Sequence, residues 1–233
     1  MSETKEDRFW KRMYSITERG YPISPYDSQV IVEFGSGNTC KNDRQIIRDM
    51  IERVVEVDSG QHEAVFKWQL FEDAPPNTPL SRSSFVFAYQ FAHGLGYQTT
   101  ASVFDRESLD FLMKFDVPFI KMACRPKLYY LVRGLNVPIY MSYDGSNGSP
   151  VPWCDGSMLM ACVPEYPASL EEYERRFTTL WLSTAVSDHT PGLDLWHKYH
   201  PDIFEKHVIV ERDKSNPDAG PFAVTVDELA TIL

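Results

Sequence analysis

The chain has 233 residues, of which 43% are hydrophobic and 13% aromatic, enough for one domain with a substantial core. Its net charge of −10 argues against a nucleic acid or an anionic membrane as partner, because phosphate groups are bound by basic faces. No apolar run approaches the roughly 18 residues that a membrane span needs. The four cysteines show no CxxC spacing and follow no secretory leader, so we expect reduced thiols in a cytoplasmic protein.

Strand and helix patterns alternate along the chain after a charged, turn-rich extension at residues 1–29. Eight short apolar or β-branched runs predict strands, at residues 30–32, 64–66, 97–103, 118–120, 137–141, 158–163, 181–186 and 202–204. Helical spacing of apolar residues, or acidic residues at a helix start, predicts about seven helices. They begin near residues 46, 85, 105, 128, 170, 193 and 226, and the last runs to residue 233.

This alternation predicts an α/β fold with a parallel sheet, and eight such units close naturally into a (β/α)8 TIM barrel over residues 30–233. One unit is irregular. The segment between the fifth and sixth strands, residues 144–150, contains turn residues and is too short for a helix. We therefore expect the helix after strand five to be missing or very short.

Nearly every predicted strand ends at a polar residue, and active sites of such barrels lie at the carboxyl ends of the strands. These residues are Glu33, Lys67, Ser102, Lys121, Ser142, Glu165, His189 and His207. Two lysines with several hydroxyls suit an anion that carries phosphate and carboxylate groups. Each lysine taken alone is equally compatible with a solvated or ion-paired surface residue.

His189 and His207 follow consecutive strands, in the segments 187–190 and 205–207, and Asp218 follows eleven positions later. Two convergent neutral imidazoles can bind a divalent metal, although each histidine alone is compatible with a core or rim residue. Glu33 stands opposite, where it could transfer protons. Cys124 beside Arg125 is compatible either with a thiol of lowered pKa or with an inert buried cysteine. Dinucleotide-binding, Walker and GxSxG motifs are absent.

Seven segments together resemble the sialic acid synthase family, in the family's order and at compatible spacing, over about residues 30 to 230. They are residues 66–69, 100–105, 119–121, 162–167, 187–190, 205–207 and 216–218. The resemblance implies a TIM barrel that condenses phosphoenolpyruvate with an aldose such as N-acetylmannosamine. The products would be a 3-deoxy-2-keto acid and phosphate, and the cofactor Mn²⁺ or Mg²⁺.

The resemblance also implies roles for single residues. Phosphoenolpyruvate would be bound by Lys67, Ser102, Lys121, Ser142 and Ser187. His189 and His207 would be the metal ligands, Glu33 the proton-transfer residue, and Asp218 a sugar contact. The predicted catalytic residues are Glu33, Lys121, His189 and Asp218, and Cys124, Arg125 and Tyr166 complete the predicted substrate site.

The sugar half of the family pattern is altered in this chain. A Ser-Gly-Glu type segment, whose glutamate holds the amino sugar, is replaced by Cys124, Arg125 and Pro126. We also expect the C-terminal antifreeze-like domain of the bacterial enzymes to be absent. Both departures predict an aldehyde other than N-acetylmannosamine, and Arg125 could meet an anionic one or be a solvated rim residue.

Three functions are compatible with these residues. The first is a phosphoenolpyruvate-dependent synthase, the second a related barrel lyase or aldolase, and the third a non-catalytic protein that binds a ligand or partner. Small molecules are the expected partners in the first two cases, and a homodimer is an option that the sequence leaves open.

Overall fold

A computed structural model describes residues 28–72, 75–145, 157–213 and 216–233. Within these ranges eight parallel strands pair in sequence order, and the first also pairs with the eighth, so the sheet closes on itself. This confirms the (β/α)8 barrel. The strands are β1 (Gln29–Glu33), β2 (Glu63–Leu70), β3 (Gln98–Val103), β4 (Ile120–Met122), β5 (Ile139–Tyr143), β6 (Ser157–Cys162), β7 (Ala185–Asp188) and β8 (Ile203–Ile209), and β9 (Val224–Thr225) pairs with β8 beyond the barrel.

Helices connect the strands and cover the outside of the barrel. They are α1 (Gly37–Cys40), α2 (Arg44–Val57), α3 (Arg82–Gly94), α4 (Arg106–Leu112), α5 (Leu170–Arg176), α6 (Thr179–Thr184), α7 (Asp194–Tyr199) and α8 (Val226–Leu229), with 3-10 turns at Pro126–Val132 and Pro217–Ala219. Among the helices so described, none is long and apolar enough to cross a membrane.

Local sequence explains where these helices begin and which face they bury. Asp43 caps α2 by accepting hydrogen bonds from two backbone amides of its first turn. Ile47, Met50, Ile51 and Val54 recur at helical spacing, and all four are buried in the core outside the barrel. Such an apolar stripe packs the helix against the sheet, while its polar residues face solvent.

The inside of the barrel consists of an apolar layer with a polar layer directly above it. The apolar layer is a separate cluster of Ile31, Val65, Phe119, Tyr140, Met158, Met160, Ala185 and Ile203. Side chains on one face of a strand recur every two residues. The residues two positions after Ile31, Val65 and Phe119 are Glu33, Lys67 and Lys121, all three buried. The same two-residue spacing places polar side chains of β5, β7 and β8 in the layer above the apolar one.

Two expectations about secondary structure are wrong in detail. The run at residues 181–186 was predicted to be one strand, but its first four residues belong to α6 and only the last two to β7. A short apolar run is compatible with either a strand or a buried helix, so periodicity alone cannot distinguish them. The closing helix, predicted to run from residue 226 to 233, ends at Leu229 and is followed by a turn.

Two other predictions fall largely outside the described ranges. The N-terminal extension at residues 1–29 lies outside them up to residue 27. The segment predicted to replace the helix after strand five lies outside them from residue 146, and the preceding residues, Asp144 and Gly145, are not helical.

Candidate active site at the barrel mouth

Two buried lysines form the centre of the polar layer. The Lys67 ammonium contacts the Glu33 carboxylate, which the pairing of β1 with β2 places opposite it, and donates to Ser102 Oγ at 2.8 Å. The Lys121 ammonium donates to Ser142 Oγ at 2.7 Å. Both lysines are at most 2% exposed, so the alternative of solvated surface residues is excluded. The structure therefore brings together the lysines and serines that the sequence assigned to an anion.

Glu205 joins these two lysines, and sequence reasoning did not assign it a role. Its Oε1 lies 3.2 Å from Lys121 Nζ and accepts a hydrogen bond of 2.7 Å from Ser187 Oγ. Its Oε2 lies 3.7 Å from Lys67 Nζ and, although buried, accepts no hydrogen bond from any residue in the described ranges. The carboxylate thus occupies the space between the lysines and keeps one oxygen available for a further donor.

The charges in this layer shift each other's pKa values. Burial by itself raises the pKa of Glu205, but the charges of Lys121 and Lys67 and the Ser187 hydrogen bond outweigh it and lower the pKa to about 2. Burial lowers the pKa of Lys67 to about 7, against the opposing effect of the Glu205 charge. Glu205 is therefore ionised at neutral pH, and its negative charge attracts the ammonium groups of Lys121 and Lys67.

The two predicted metal ligands form a neighbouring pair at the rim. The imidazole centres of His189 and His207 are 5.9 Å apart, with 55° between the ring planes. Burial lowers the pKa of His189 to about 4, and burial together with His189 lowers that of His207 well below its usual value. Both rings are therefore neutral at pH 7, the state in which imidazole binds metals.

The surroundings of His189 fit a metal ligand. Its Nδ1 lies 2.7 Å from the carbonyl oxygen of Val163. Because a carbonyl oxygen can only accept, Nδ1 must carry the proton, which leaves the lone pair on Nε2 for a cation. Two rings that share one ion through bonds of about 2 Å have centres up to roughly 6 Å apart, and this pair satisfies that limit. Among the described residues no group of three His, Cys, Asp or Glu side chains could hold a metal.

A buried ion pair fixes the strand ends that carry these histidines. Lys206 Nζ lies 2.7 Å from Asp188 Oδ2 and donates to the Thr190 carbonyl at 2.6 Å, and both charged side chains are fully buried. Asp188 Oδ1 also accepts from the Thr190 amide at 2.8 Å. Since Asp188 and Lys206 immediately precede His189 and His207, this network links the backbones from which both imidazoles project.

Asp218 lies across the carboxyl end of β1. Its Oδ2 accepts from the Ser36 amide at 3.4 Å, the Ser36 hydroxyl at 3.3 Å and the Thr39 hydroxyl at 3.2 Å. Gly35, which has a φ of +80°, makes this approach possible, because a Cβ there would lie 2.7 Å from Asp218 Oδ2. The Gly35 amide also donates to Glu33 Oε1 at 2.7 Å. Gly35 therefore lies between Asp218, the predicted sugar contact, and Glu33, the predicted proton-transfer residue.

The remaining predicted site residues lie around this layer. The Tyr166 ring packs on His189 with centres 4.1 Å apart and meets His207 edge-on at 6.1 Å. Cys124 is half-buried. Arg125 is exposed, with its guanidinium 5.0 Å from the centre of the Phe104 ring. Tyr166 therefore contacts the histidine pair, whereas Arg125 stays on the outer rim.

A cavity of about 390 Å³ opens next to the segment that immediately precedes Asp218. Polar residues of α1 and of the segment before Asp218 line it, among them Asn38, Lys41 and Asn216.

Comparison with solved structures supports the predicted resemblance. A sialic acid synthetase from Leptospira borgpetersenii has a TM-score of 0.69 and 18% identity, covering 91% of this chain and 82% of that one. The chain has the fold of a sialic acid synthase. Spore coat polysaccharide biosynthesis protein spsE from Bacillus subtilis has a TM-score of 0.67 and 21% identity, covering 88% and 66%. A truncated 3-deoxy-D-arabino-heptulosonate 7-phosphate synthase from Thermotoga maritima has a TM-score of 0.62 and 10% identity, covering 89% and 84%.

No family sequence model and no curated protein sequence matches the chain. At the identities above, the likeness to the solved structures shows the fold alone.

Proposed function

We propose that this chain condenses phosphoenolpyruvate with an aldehyde, forming a 3-deoxy-2-keto acid and releasing phosphate. The observation that carries the proposal is the polar layer, in which two buried lysines and three serine hydroxyls adjoin two neutral imidazoles. The shared fold with proteins named sialic acid synthetase and heptulosonate 7-phosphate synthase supports it.

The lysines would bind the phosphate and carboxylate groups of phosphoenolpyruvate. Each ammonium already holds one serine hydroxyl, so lysine and serine can donate together to one anionic group. Glu205 would have to yield part of its contact with Lys121 when the substrate enters. Charge-assisted hydrogen bonds made in a water-excluded layer are strong, and this favours binding of a doubly anionic substrate.

The histidine pair would act on the aldehyde. His189 and His207 would hold Mn²⁺ or Mg²⁺, whose charge would polarise the aldehyde carbonyl. C3 of phosphoenolpyruvate forms a C–C bond to the aldehyde carbon as the C=O π bond breaks, and the aldehyde oxygen takes a proton to become a hydroxyl. Water adds to the resulting oxocarbenium carbon and passes one proton to a carboxylate. The C–O bond to phosphate then breaks, the new C2 hydroxyl loses its proton to form the keto group, and phosphate leaves with the bridging oxygen and that proton.

Two carboxylates, Glu33 and Glu205, are available for the proton that water passes on. Glu33 accepts from the Gly35 amide through Oε1 and contacts Lys67 through Oε2, so both of its oxygens have partners. Glu205 Oε2 is buried without a hydrogen bond from the described chain. We therefore propose that Glu33 keeps Lys67 in place and accepts the proton, while Glu205, whose low pKa makes it a weak base, positions water through Oε2.

The aldehyde would enter from the side of Asp218 and the adjoining cavity. Asp218 Oδ2 accepts from two hydroxyls and an amide, and a sugar hydroxyl could replace a hydroxyl donor. Tyr166 would cover the histidine pair from solvent through its contact with His189. The shape of this side would select the aldehyde, while the lysine layer holds the shared substrate.

The decisive experiment measures phosphate release from phosphoenolpyruvate labelled with ¹⁸O at the bridging oxygen. The wild-type chain is assayed with Mn²⁺ and a panel of aldehydes, beside Lys121→Met and the matched variant Lys127→Met. Lys127 is exposed on the 3-10 turn outside the barrel. We expect labelled phosphate only when Mn²⁺ and an aldehyde are both present, with Lys121→Met inactive and Lys127→Met unaffected.

Other outcomes would contradict the proposal in distinguishable ways. Turnover of phosphoenolpyruvate without any aldehyde would indicate a lyase or phosphatase. Stabilisation by Mn²⁺ or phosphoenolpyruvate without turnover of any aldehyde would indicate a non-catalytic binding protein. Unlabelled phosphate would show P–O cleavage and exclude the mechanism given above.

A further inference from the structure

Two buried tyrosines reach the mouth of the barrel from connections outside it. Tyr129 lies on the 3-10 turn that follows β4, and Tyr173 lies on α5, which follows β6. Tyr129 is 7% exposed, and Tyr173 is inaccessible to solvent. A buried phenol hydroxyl needs a hydrogen-bond partner, so the partner of each hydroxyl shows which part of the chain it holds in place.

Each tyrosine hydroxyl donates to the backbone carbonyl of a serine in the polar layer. The Tyr129 hydroxyl donates to the Ser142 carbonyl at 2.8 Å, across 13 positions of the chain. The Tyr173 hydroxyl donates to the Ser187 carbonyl at 2.6 Å, across 14 positions. In both cases the tyrosine comes from the connection that leads into the strand of the serine, β5 or β7. The same contact is therefore made in two separate units of the barrel.

The two serines held in this way are also in contact with the charged groups of the layer. Ser142 Oγ accepts from the Lys121 ammonium at 2.7 Å, and Ser187 Oγ donates to the Glu205 carboxylate at 2.7 Å. A serine hydroxyl is separated from its backbone by one torsion angle, which has three staggered positions. Fixing the backbone of each serine therefore restricts where its hydroxyl can meet a lysine or a bound anion.

Tyr173 also holds the residue that carries a predicted metal ligand. Its hydroxyl accepts from the His189 amide at 3.1 Å while it donates to the Ser187 carbonyl, and a phenol hydroxyl can do both at once. It thus bridges Ser187, which faces the lysines, and His189, whose imidazole belongs to the predicted metal site. The strand end that Tyr129 contacts carries no predicted metal ligand.

We propose that Tyr129 and Tyr173 are positioning residues of the barrel mouth. Each sets the place of one serine of the anion site, and Tyr173 also sets the place of the His189 imidazole. The inference rests on the proposed function for the identity of the anion, phosphoenolpyruvate. Because each tyrosine acts through the backbone of a strand, loss of the Tyr129 hydroxyl weakens the anion site alone. Loss of the Tyr173 hydroxyl weakens the anion site and the metal site together.

Substitution by phenylalanine tests this inference, because it removes the hydroxyl and keeps the ring. Tyr89→Phe is the matched control. The Tyr89 hydroxyl on α3 donates to the Asp116 carbonyl at 3.0 Å, which is the same kind of bond. Asp116 precedes β4, so this bond lies at the end of the barrel opposite to the mouth.

Isothermal titration calorimetry measures the affinity of each variant for phosphoenolpyruvate and for Mn²⁺, each in the absence of the other. We expect Tyr129→Phe and Tyr173→Phe to bind phosphoenolpyruvate about 3- to 10-fold more weakly than the wild type, which corresponds to one hydrogen bond. The affinity for Mn²⁺ should fall about threefold or more in Tyr173→Phe and stay unchanged in Tyr129→Phe. Tyr89→Phe should match the wild type in both titrations, and circular dichroism should show that all three variants fold.

Amide hydrogen exchange at His189 gives a second readout that needs no ligand. Tyr173→Phe removes the acceptor of this amide, so its exchange should become at least about tenfold faster. Tyr129→Phe and Tyr89→Phe should leave exchange at His189 unchanged.

The possible failures of the inference and of the proposed function are distinguishable. Equal affinity of the wild type, Tyr129→Phe and Tyr173→Phe for phosphoenolpyruvate would overturn the inference and leave the proposed function intact. An equal loss of Mn²⁺ affinity in both variants would indicate a general structural role and would also overturn it, as would unchanged exchange at His189 in Tyr173→Phe. A wild type that binds no phosphoenolpyruvate would contradict the proposed function, and exchange at His189 would then decide whether Tyr173 positions the strand end.

Discussion

The carboxylate of Glu205 lies 3.2 Å from the ammonium of Lys121 inside the barrel, at the position where the sequence predicted a bound anion. Both side chains are nearly inaccessible to solvent. A buried ion pair is costly to break on one side, because the remaining charge is left unpaired. The Glu205 carboxylate thus occupies the position next to the lysines that a substrate anion would take. A substrate anion has to enter a layer in which the lysine charges already have a partner of opposite charge.

Replacement of Glu205 should change how stability depends on pH. Its pKa is lowered from 4.5 to about 2, so the stability it contributes is present above pH 4.5 and lost as the pH falls toward 2. At pH 7 Glu205→Gln should be less stable by roughly 3–5 kcal/mol, since it leaves the lysines without this partner. The difference in the free energy of unfolding between Glu205→Gln and the wild type should become smaller as the pH falls below 4.5. Denaturant unfolding at several pH values measures this difference.

The exposed Glu211 provides the control for that experiment. Glu211→Gln should differ little from the wild type over the same pH range. If the free energies of unfolding of Glu205→Gln and the wild type differ by the same amount from pH 7 to pH 3, Glu205 does not contribute to stability through its charge.

Lys121 should account for a large part of the affinity for phosphoenolpyruvate. Lys121→Met removes a charged donor from the buried layer, and hydrogen bonds to charged groups contribute about 1.5–3 kcal/mol. We therefore expect affinity to fall about 10- to 100-fold. Isothermal titration calorimetry with Lys127→Met as the exposed control measures the change. Unchanged binding by Lys121→Met would refute the assignment.

The buried pair of Asp188 and Lys206 should be coupled in stability. Lys206→Met leaves a buried carboxylate unpaired and removes a donor from the Thr190 carbonyl, and we expect a loss of about 3–5 kcal/mol. Adding Asp188→Asn to that variant should recover part of this loss. A double-mutant cycle by urea unfolding tests the coupling. Strictly additive effects of the two substitutions would show that the pair does not act as a unit.

The histidine pair should bind Mn²⁺ in the absence of any substrate. His207→Ala and His189→Ala should each abolish the thermal shift produced by Mn²⁺ and any Mn²⁺-dependent turnover, because one imidazole alone is a weak site. His197→Ala, which alters an exposed histidine of α7, should behave as the wild type does. Retention of the full Mn²⁺ shift by both site variants, with circular dichroism unchanged, would exclude the two imidazoles as the ligands.

Strand periodicity explains why much of this site could be predicted from the sequence. Polar residues that directly follow apolar runs had to meet at one mouth once the strands were parallel. Lys67 and Lys121 were identified in this way, and the structure brings them together through Glu205. The signal for Glu205 was present as well, because it precedes His207 by two residues and therefore projects from the same face of β8.

Other features depended on packing that no local pattern encodes. Asp188 and Lys206 have ordinary charged side chains in sequence, and only the pairing of β7 with β8 places them opposite each other in a buried position. Such contacts follow from barrel closure and not from spacing along the chain.

The aldehyde preference should differ from that of an enzyme for an amino sugar. In the resembling family a glutamate holds the amino sugar, and here that position is Pro126, the first residue of a 3-10 turn. A site that lacks the partner of a polar substrate group binds that substrate less well, because the group is left unpaired when it is buried. The exposed Arg125 lies nearby against Phe104 and can meet an anion. We therefore expect N-acetylmannosamine to be a poor substrate and a smaller, negatively charged aldehyde a better one.

Steady-state kinetics with N-acetylmannosamine, glyceraldehyde and glyceraldehyde 3-phosphate tests this preference. One charge-assisted hydrogen bond contributes about 1.5–3 kcal/mol, so kcat/KM for the phosphorylated aldehyde should exceed that for the neutral one at least about tenfold. Arg125→Ala should bring the ratio of the two kcat/KM values close to one. Arg133→Ala, at an exposed position beyond the 3-10 turn, should leave that ratio unchanged. Efficient turnover of N-acetylmannosamine by the wild-type chain would show that the altered segment does not determine the choice of aldehyde.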